Sequence, residues 1–284
     1  MNTSILRQLG NRALIVASLL LTTHAYGQAT RSDVFADDPR PLEAAVLSLI
    51  GRYPVMITYE DPPYAFSADV KDVTDIVRKS PSTRKDRILV PQGHALQASF
   101  DVSAATGQPT NLAEALDTLV DAKNANPIGG RFGVVRNGNL FHIVPIEVRD
   151  RDGRWIKAGS ILDTPITLST ETLNGYALIE SILKRVSAAS GTDIGLSAER
   201  FANAFARYSG KVEAQNEPAR DILLRTLRGV STRFTWMLNY DPSGRYYVFA
   251  VELAAEPPPA EVPLNLAILP RLGGDTPAGG RQQR

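Results

Sequence analysis

The pattern that most constrains this chain lies in residues 111–148, where a capped amphipathic segment precedes two strand-like runs. Leu112, Ala115, Leu116, Leu119 and Val120 recur at helical spacing and form one apolar stripe. Asn111 followed by Glu114 is a capping-box arrangement, with Asn in place of Ser or Thr. Two apolar runs then flank Asn137-Gly138, a strong hairpin signal because a type I′ turn needs positive φ at both central positions. A two-residue turn there pairs Val134 with Phe141 and Phe132 with Ile143, and places His142 on the other face, opposite Gly133. Such a unit folds as α+β, with helices laid on one face of a small mixed sheet.

A related unit returns over residues 217–253. Ala219, Ile222, Leu223, Thr226 and Leu227 repeat the stripe at an offset of 107, with Pro218 suited to the first helical turn. Phe234 to Tyr240 and Arg245 to Leu253 then flank the turn Asp241-Pro242-Ser243-Gly244. Upstream helices also correspond: Leu42, Ala45, Val46, Leu49 and Ile50 match Leu178, Ile179, Ile182, Leu183 and Val186, Val46 aligning with Leu183 at an offset of 137. Two tandem α+β modules follow, 41–150 and 160–253, the first carrying an insertion of about thirty residues at 61–92.

At the N-terminus, Arg7 and Arg12 precede an apolar run over 13–21, and small residues stand at Ala25 and Gly27. This is the three-part layout of a secretory signal peptide over 1–27, and about nine apolar residues fall short of the roughly 20 that span a bilayer. Export to a periplasm is expected, with no transmembrane segment after cleavage. Residues 28–40 read as a flexible lead-in, and 254–284 as a Pro/Gly-rich, largely disordered tail with an apolar run at 264–269. Removing Arg7 and Arg12 leaves 29 basic against 30 acidic residues, a balance that gives no footprint for nucleic acid. With no cysteine anywhere, disulfides, thiolate metal sites, cysteine nucleophiles and a lipid-anchored N-terminus are excluded.

The insertion carries an acidic set, Glu60, Asp61, Asp69, Asp72 and Asp75, then a basic set, Arg78, Lys79, Arg84, Lys85 and Arg87. These ten residues are the candidate interaction surface, because long insertions on a rigid module often carry specificity. A calcium loop needs a different spacing of carboxylates. A carboxylate pair for glycoside hydrolysis is the sharper alternative, and solvated surface charge is far commoner. After export only His94 and His142 remain, and phosphate-loop, zinc-protease and serine-hydrolase motifs are absent. No catalytic residue, cofactor or metal site is expected.

Residues 42–49, 55–59 and 113–120 of the first unit, with 182–183, 190–194, 219–227 and 234–236 of the second, resemble the short N-terminal domain of secretins and TonB-dependent receptors. They are similar as well to the periplasmic ring domains of secretins. The resemblance implies a periplasmic protein that contacts other proteins of a secretion, pilus or transport complex, with no catalytic residues to carry over. It departs from that family in the insertion and in having no channel or barrel sequence after Leu253. A non-enzymatic adaptor is the leading expectation. The alternatives are a glycan or small-molecule binder using the cleft between modules, and a carboxylate-dependent wall hydrolase.

Overall fold

In the computed structural model, which describes residues 30–78, 87–104 and 106–257, both halves of the chain run through one succession of elements. The first half contains β1 (Thr30–Asp38), α1 (Pro41–Arg52), β2 (Met56–Glu60), the insertion with β3 (Val70–Asp72), α2 (Thr74–Val77) and β4 (Leu89–Pro91), then β5 (His94–Val102), α3 (Leu112–Ala125), β6 (Arg131–Asn137), β7 (Leu140–Arg149) and β8 (Trp155–Lys157). The second contains β9 (Pro165–Asn174), α4 (Gly175–Ser190), β10 (Ile194–Ser197), α5 (Ala202–Arg207), β11 (Ser209–Pro218), α6 (Ala219–Val230), β12 (Phe234–Asp241) and β13 (Tyr246–Leu253).

Strand pairings recur in step. β1 runs antiparallel to β5 as β9 does to β11; β2 runs parallel to β7 as β10 does to β13; and β6–β7 and β12–β13 are antiparallel hairpins. The α+β class is therefore observed, with mixed sheets. Local chemistry sets the helix ends. The Asn111 side chain accepts from Glu114 N at 3.3 Å, Asn174 accepts from Ala177 N at 2.9 Å, and Gly191 at φ +72° closes α4.

The expectation of helices on one face of a separate sheet is corrected in two ways. The helices are sandwiched, with β1–β5 or β9–β11 on one side and the central sheet on the other; α1, for instance, packs on β1 and on β2. More consequentially, the halves do not own separate sheets. One central sheet runs in the order β10-β13-β12-β2-β7-β6, with β8 attached to β7. Its middle is a parallel junction that sets Met237 beside Tyr59 and Leu238 beside Glu60. Side chains alternate across a strand, so neighbours on β12 serve opposite cores. Trp236 and Leu238 pack with the second half's helices, while Met237 between them packs with Ile57, Tyr59 and Phe141 of the first. The two helical layers thus cover opposite faces of a shared sheet.

Two further expectations change. Residues 30–38, expected as flexible, form β1, because Val34 and Ala36 are buried against α1 while Phe35 between them and the polar residues on either side face out. The β6–β7 turn is Gly138-Asn139, with Gly138 at φ +63°, so Asn137 pairs with Leu140 and Val134 with Ile143. Only one positive φ is needed, at a glycine in the first central position, which is the demand of a type II′ turn and not of type I′. The slip is two residues, so Phe132, Phe141 and Ile143 still face the core. Residues 1–29, 79–86 and 258–284, with the expected signal segment and most of the tail, lie outside the described residues.

Charge is buried where the halves meet. Glu60 is 1 % exposed and receives both Nη atoms of Arg220, from the first turn of α6, together with the Ser160 hydroxyl. Arg220 Nε also donates to Asp163 at 3.0 Å. Burial pushes the Glu60 carboxyl above its ordinary range, and the Arg220 guanidinium opposes that rise. Arg220→Met is expected to lower the unfolding free energy by about 3–5 kcal/mol, because it strands a buried carboxylate, whereas Glu60→Gln with Arg220→Met costs clearly less. Urea unfolding of the three proteins measures this, and equal losses in the single and double variants would contradict it.

Candidate functional site

The expected interaction residues do not form one surface. Glu60, Asp61 and Asp69 are buried and each is held by an arginine distant in sequence. Asp61 sits at the end of β2, where Arg40 Nε donates to it at 2.5 Å, Tyr59 and Tyr64 hydroxyls at 2.7 and 2.8 Å, and Tyr240 N at 3.0 Å. Arg40 also donates to Tyr240 O at 2.6 Å, and Asp61 N to Leu238 O at 2.8 Å. Asp61 therefore extends the β2–β12 junction by side-chain chemistry beyond the two residues that pair as strands. Asp69 accepts from Arg149 and, at 2.8 Å, from Gly129 N, which ties the insertion to the ends of β6 and β7.

The rest of the set is at the surface. Asp72 accepts from Thr74 and from Arg87 at 2.6 Å, contacts that hold its pKa down at about 2; Asp75 is exposed, and Lys79, Arg84 and Lys85 lie outside the described residues. Arg78 is half-buried. Among the described residues no group of three or more metal-ligating side chains converges. His142 does fall on the face away from its own helices, as expected, but the second half covers that face: its Nδ1 bonds Thr58 Oγ1 at 2.8 Å and its ring packs near Trp236. Burial, then Arg220 and Arg228, lowers its pKa to about 3, so it stays neutral. Burial also lowers the pKa of His94.

Lys123, which periodicity alone does not single out, is buried at the C-terminal end of α3. Its Nζ donates to Ile128 O at 2.8 Å, and burial lowers its pKa to about 8 despite Asp69 and Asp61. Its acceptors belong to the loop that leads from α3 into β6, so the buried ammonium fastens that loop to the helix end.

Among the described residues two features are the main candidates for contact with a partner. One is the ends of the central sheet: β6 pairs only with β7 and β10 only with β13, so each presents an unpaired edge. Beside the β6 edge, on the face carrying His142, lie the exposed side chains of Val135 (51 %) and Ile146 (45 %). The other is a groove of about 340 Å³ between the insertion and the β12–β13 turn, lined in part by Tyr64, Asp72, Arg87, Arg151, Tyr240 and Arg245.

No family model, no curated protein and no solved structure matches this chain. Among the described residues no helix is long and apolar enough to cross a membrane. The site is therefore read from its own chemistry.

One seam residue titrates near neutrality. Glu43 on α1 accepts from Asn239 Nδ2 of β12 at 2.6 Å. Burial, against the opposing Asn239 hydrogen bond, raises its pKa from 4.5 to about 7. A carboxyl whose pKa is raised by folding adds stability below its unfolded pKa and loses it as pH rises through the folded one. Stability should fall between pH 5 and 8, by up to about 3 kcal/mol from this group, and Glu43→Gln should flatten that slope. Urea midpoints across the range test this; identical slopes in both proteins would contradict it.

Proposed function

We propose that this chain is an exported, non-enzymatic interaction protein of the cell envelope, docking to other protein by strand addition at its free sheet edges. The observation that carries the reading is the β6 edge with the exposed apolar side chains of Val135 and Ile146 beside it. An unpaired edge offers a row of main-chain donors and acceptors, and adjacent apolar side chains supply the area that makes such pairing stable. Support for the compartment comes from the N-terminal layout. The likeness of the sequence to the secretin and TonB-receptor short domain points to membership of a secretion, pilus or transport complex.

A second reading rests on the groove, where Arg87, Arg151 and Arg245 stand against the single carboxylate Asp72. That lining favours an anionic small molecule or glycan, bound where the two halves approach one another. The hydrolase reading is not favoured, because Glu60, Asp61, Asp69 and Asp72 are each paired with an arginine.

Cysteine substitution at Val135 and, as a distant control, at exposed Ile76, followed by thiol cross-linking in intact envelopes, tests the interaction reading. Discrete adducts from Val135→Cys and none from Ile76→Cys are expected. Adducts from neither position, or equally from both, would contradict it.

A further inference from the structure

We infer that the partner at these edges is a second copy of this chain, added head to tail so that its β10 lies parallel to β6. This rests on the interaction reading above and identifies its partner. The template is the junction inside the chain. β12 corresponds to β6, and β2 corresponds to β10, by element order and by pairing. In the internal junction the β12 edge of one unit accepts the β2 edge of the other in parallel, and the free edges that remain are the same two kinds, β6 and β10. The operator relating the halves keeps strand order along the sheet, reverses strand direction and exchanges faces. It is a half-turn about the line along which strands stack, combined with a translation of three strands. Such a heterologous relation does not close on itself, so it can be applied again to a new chain.

Register follows from the same correspondence. Tyr59 and Glu60 match Leu196 and Ser197, while Met237 and Leu238 match Gly133 and Val134. Gly133 therefore pairs with Leu196, and Val134 with Ser197, of the next copy. The surrounding faces agree. Inside the chain α1 covers the reverse face of β12, through Glu43 on Asn239. The corresponding residues are Glu180 on α4 and Val135 on β6. Neither is covered: Val135 is 51 % exposed, and the Glu180 side chain, paired with Lys184 at 3.3 Å, is 47 % accessible. α4 of the second copy would thus cover Val135.

The charges that fasten the internal seam have no counterparts outside it. Arg40 and Asp61 correspond to Ala177 and Ala198, Glu60 to Ser197, and Arg220 to Ala113. The outer junction therefore lacks both buried ion pairs. Association between chains is weaker than the internal seam and depends on concentration.

Because the chain has no cysteine, the register can be tested by disulfide trapping with Val135→Cys and Glu180→Cys, both at accessible positions. Within one chain the two residues stand at opposite edges of a six-strand path, on the order of 24 Å apart, too far for a disulfide. Under mild oxidation of purified protein, a mixture of the two single variants should give mixed dimers, at least tenfold above either variant alone. The double variant should give a ladder of oligomers that collapses on reduction. Monomer only, or same-residue dimers as the main product, would overturn the proposal. If Val135→Cys instead joins a different protein in native envelopes and never Glu180→Cys, self-assembly fails while the interaction reading stands. If it joins nothing anywhere, both fail.

Discussion

The structure depends on the parallel pairing of β2 with β12. Only two residues of each strand pair there, which by itself is a slight contact. What makes it a seam is the side-chain chemistry around it: Asp61 carries the pairing on to Tyr240, Arg40 neutralises that carboxylate, Thr235 Oγ1 donates to Ile57 O, and Arg220 does for Glu60 what Arg40 does for Asp61. Buried ion pairs contribute little net stability compared with apolar packing, but an unpaired buried charge is costly. The four charged groups therefore exclude registers in which any of them lacks its partner. They also place the halves on opposite faces of one sheet, which leaves two complementary edges at its ends.

Much of this was legible in the chain. The apolar stripes of α1, α3, α4 and α6 are buried as their spacing requires, and the Asn111 cap forms as expected. The four long helices and the two hairpins that follow α3 and α6 were legible from such local patterns. β1 was not legible, since only Val34 and Ala36 of its nine residues are buried and its composition is that of a loop. The β6–β7 register was missed by two because Asn137-Gly138 and Gly138-Asn139 both read as turns, and the choice depends on backbone geometry that residue type alone does not determine.

The candidate surface was the least legible part. Glu60, Asp61 and Asp69 look like solvated acids because their partners lie far along the chain: Arg40 is 21 residues from Asp61, Arg149 is 80 from Asp69 and Arg220 is 160 from Glu60. No local window holds both members of such a pair. The sheet edges were hidden for a related reason. Whether a strand is central or terminal is a property of the assembled sheet, and Val135 reads as an ordinary strand residue until β6 is seen to end the sheet among the described residues.

Native-state hydrogen exchange at the seam tests most directly whether the halves form one cooperative body. The amides of Asp61 and Tyr240, which donate across the junction, should exchange with the opening free energy of the most protected core amides, since freeing them would unpair buried charge. Exchange of these two amides through a much smaller opening, with β7 and β13 still protected, would show halves that separate without unfolding. That result would contradict the shared-sheet interpretation.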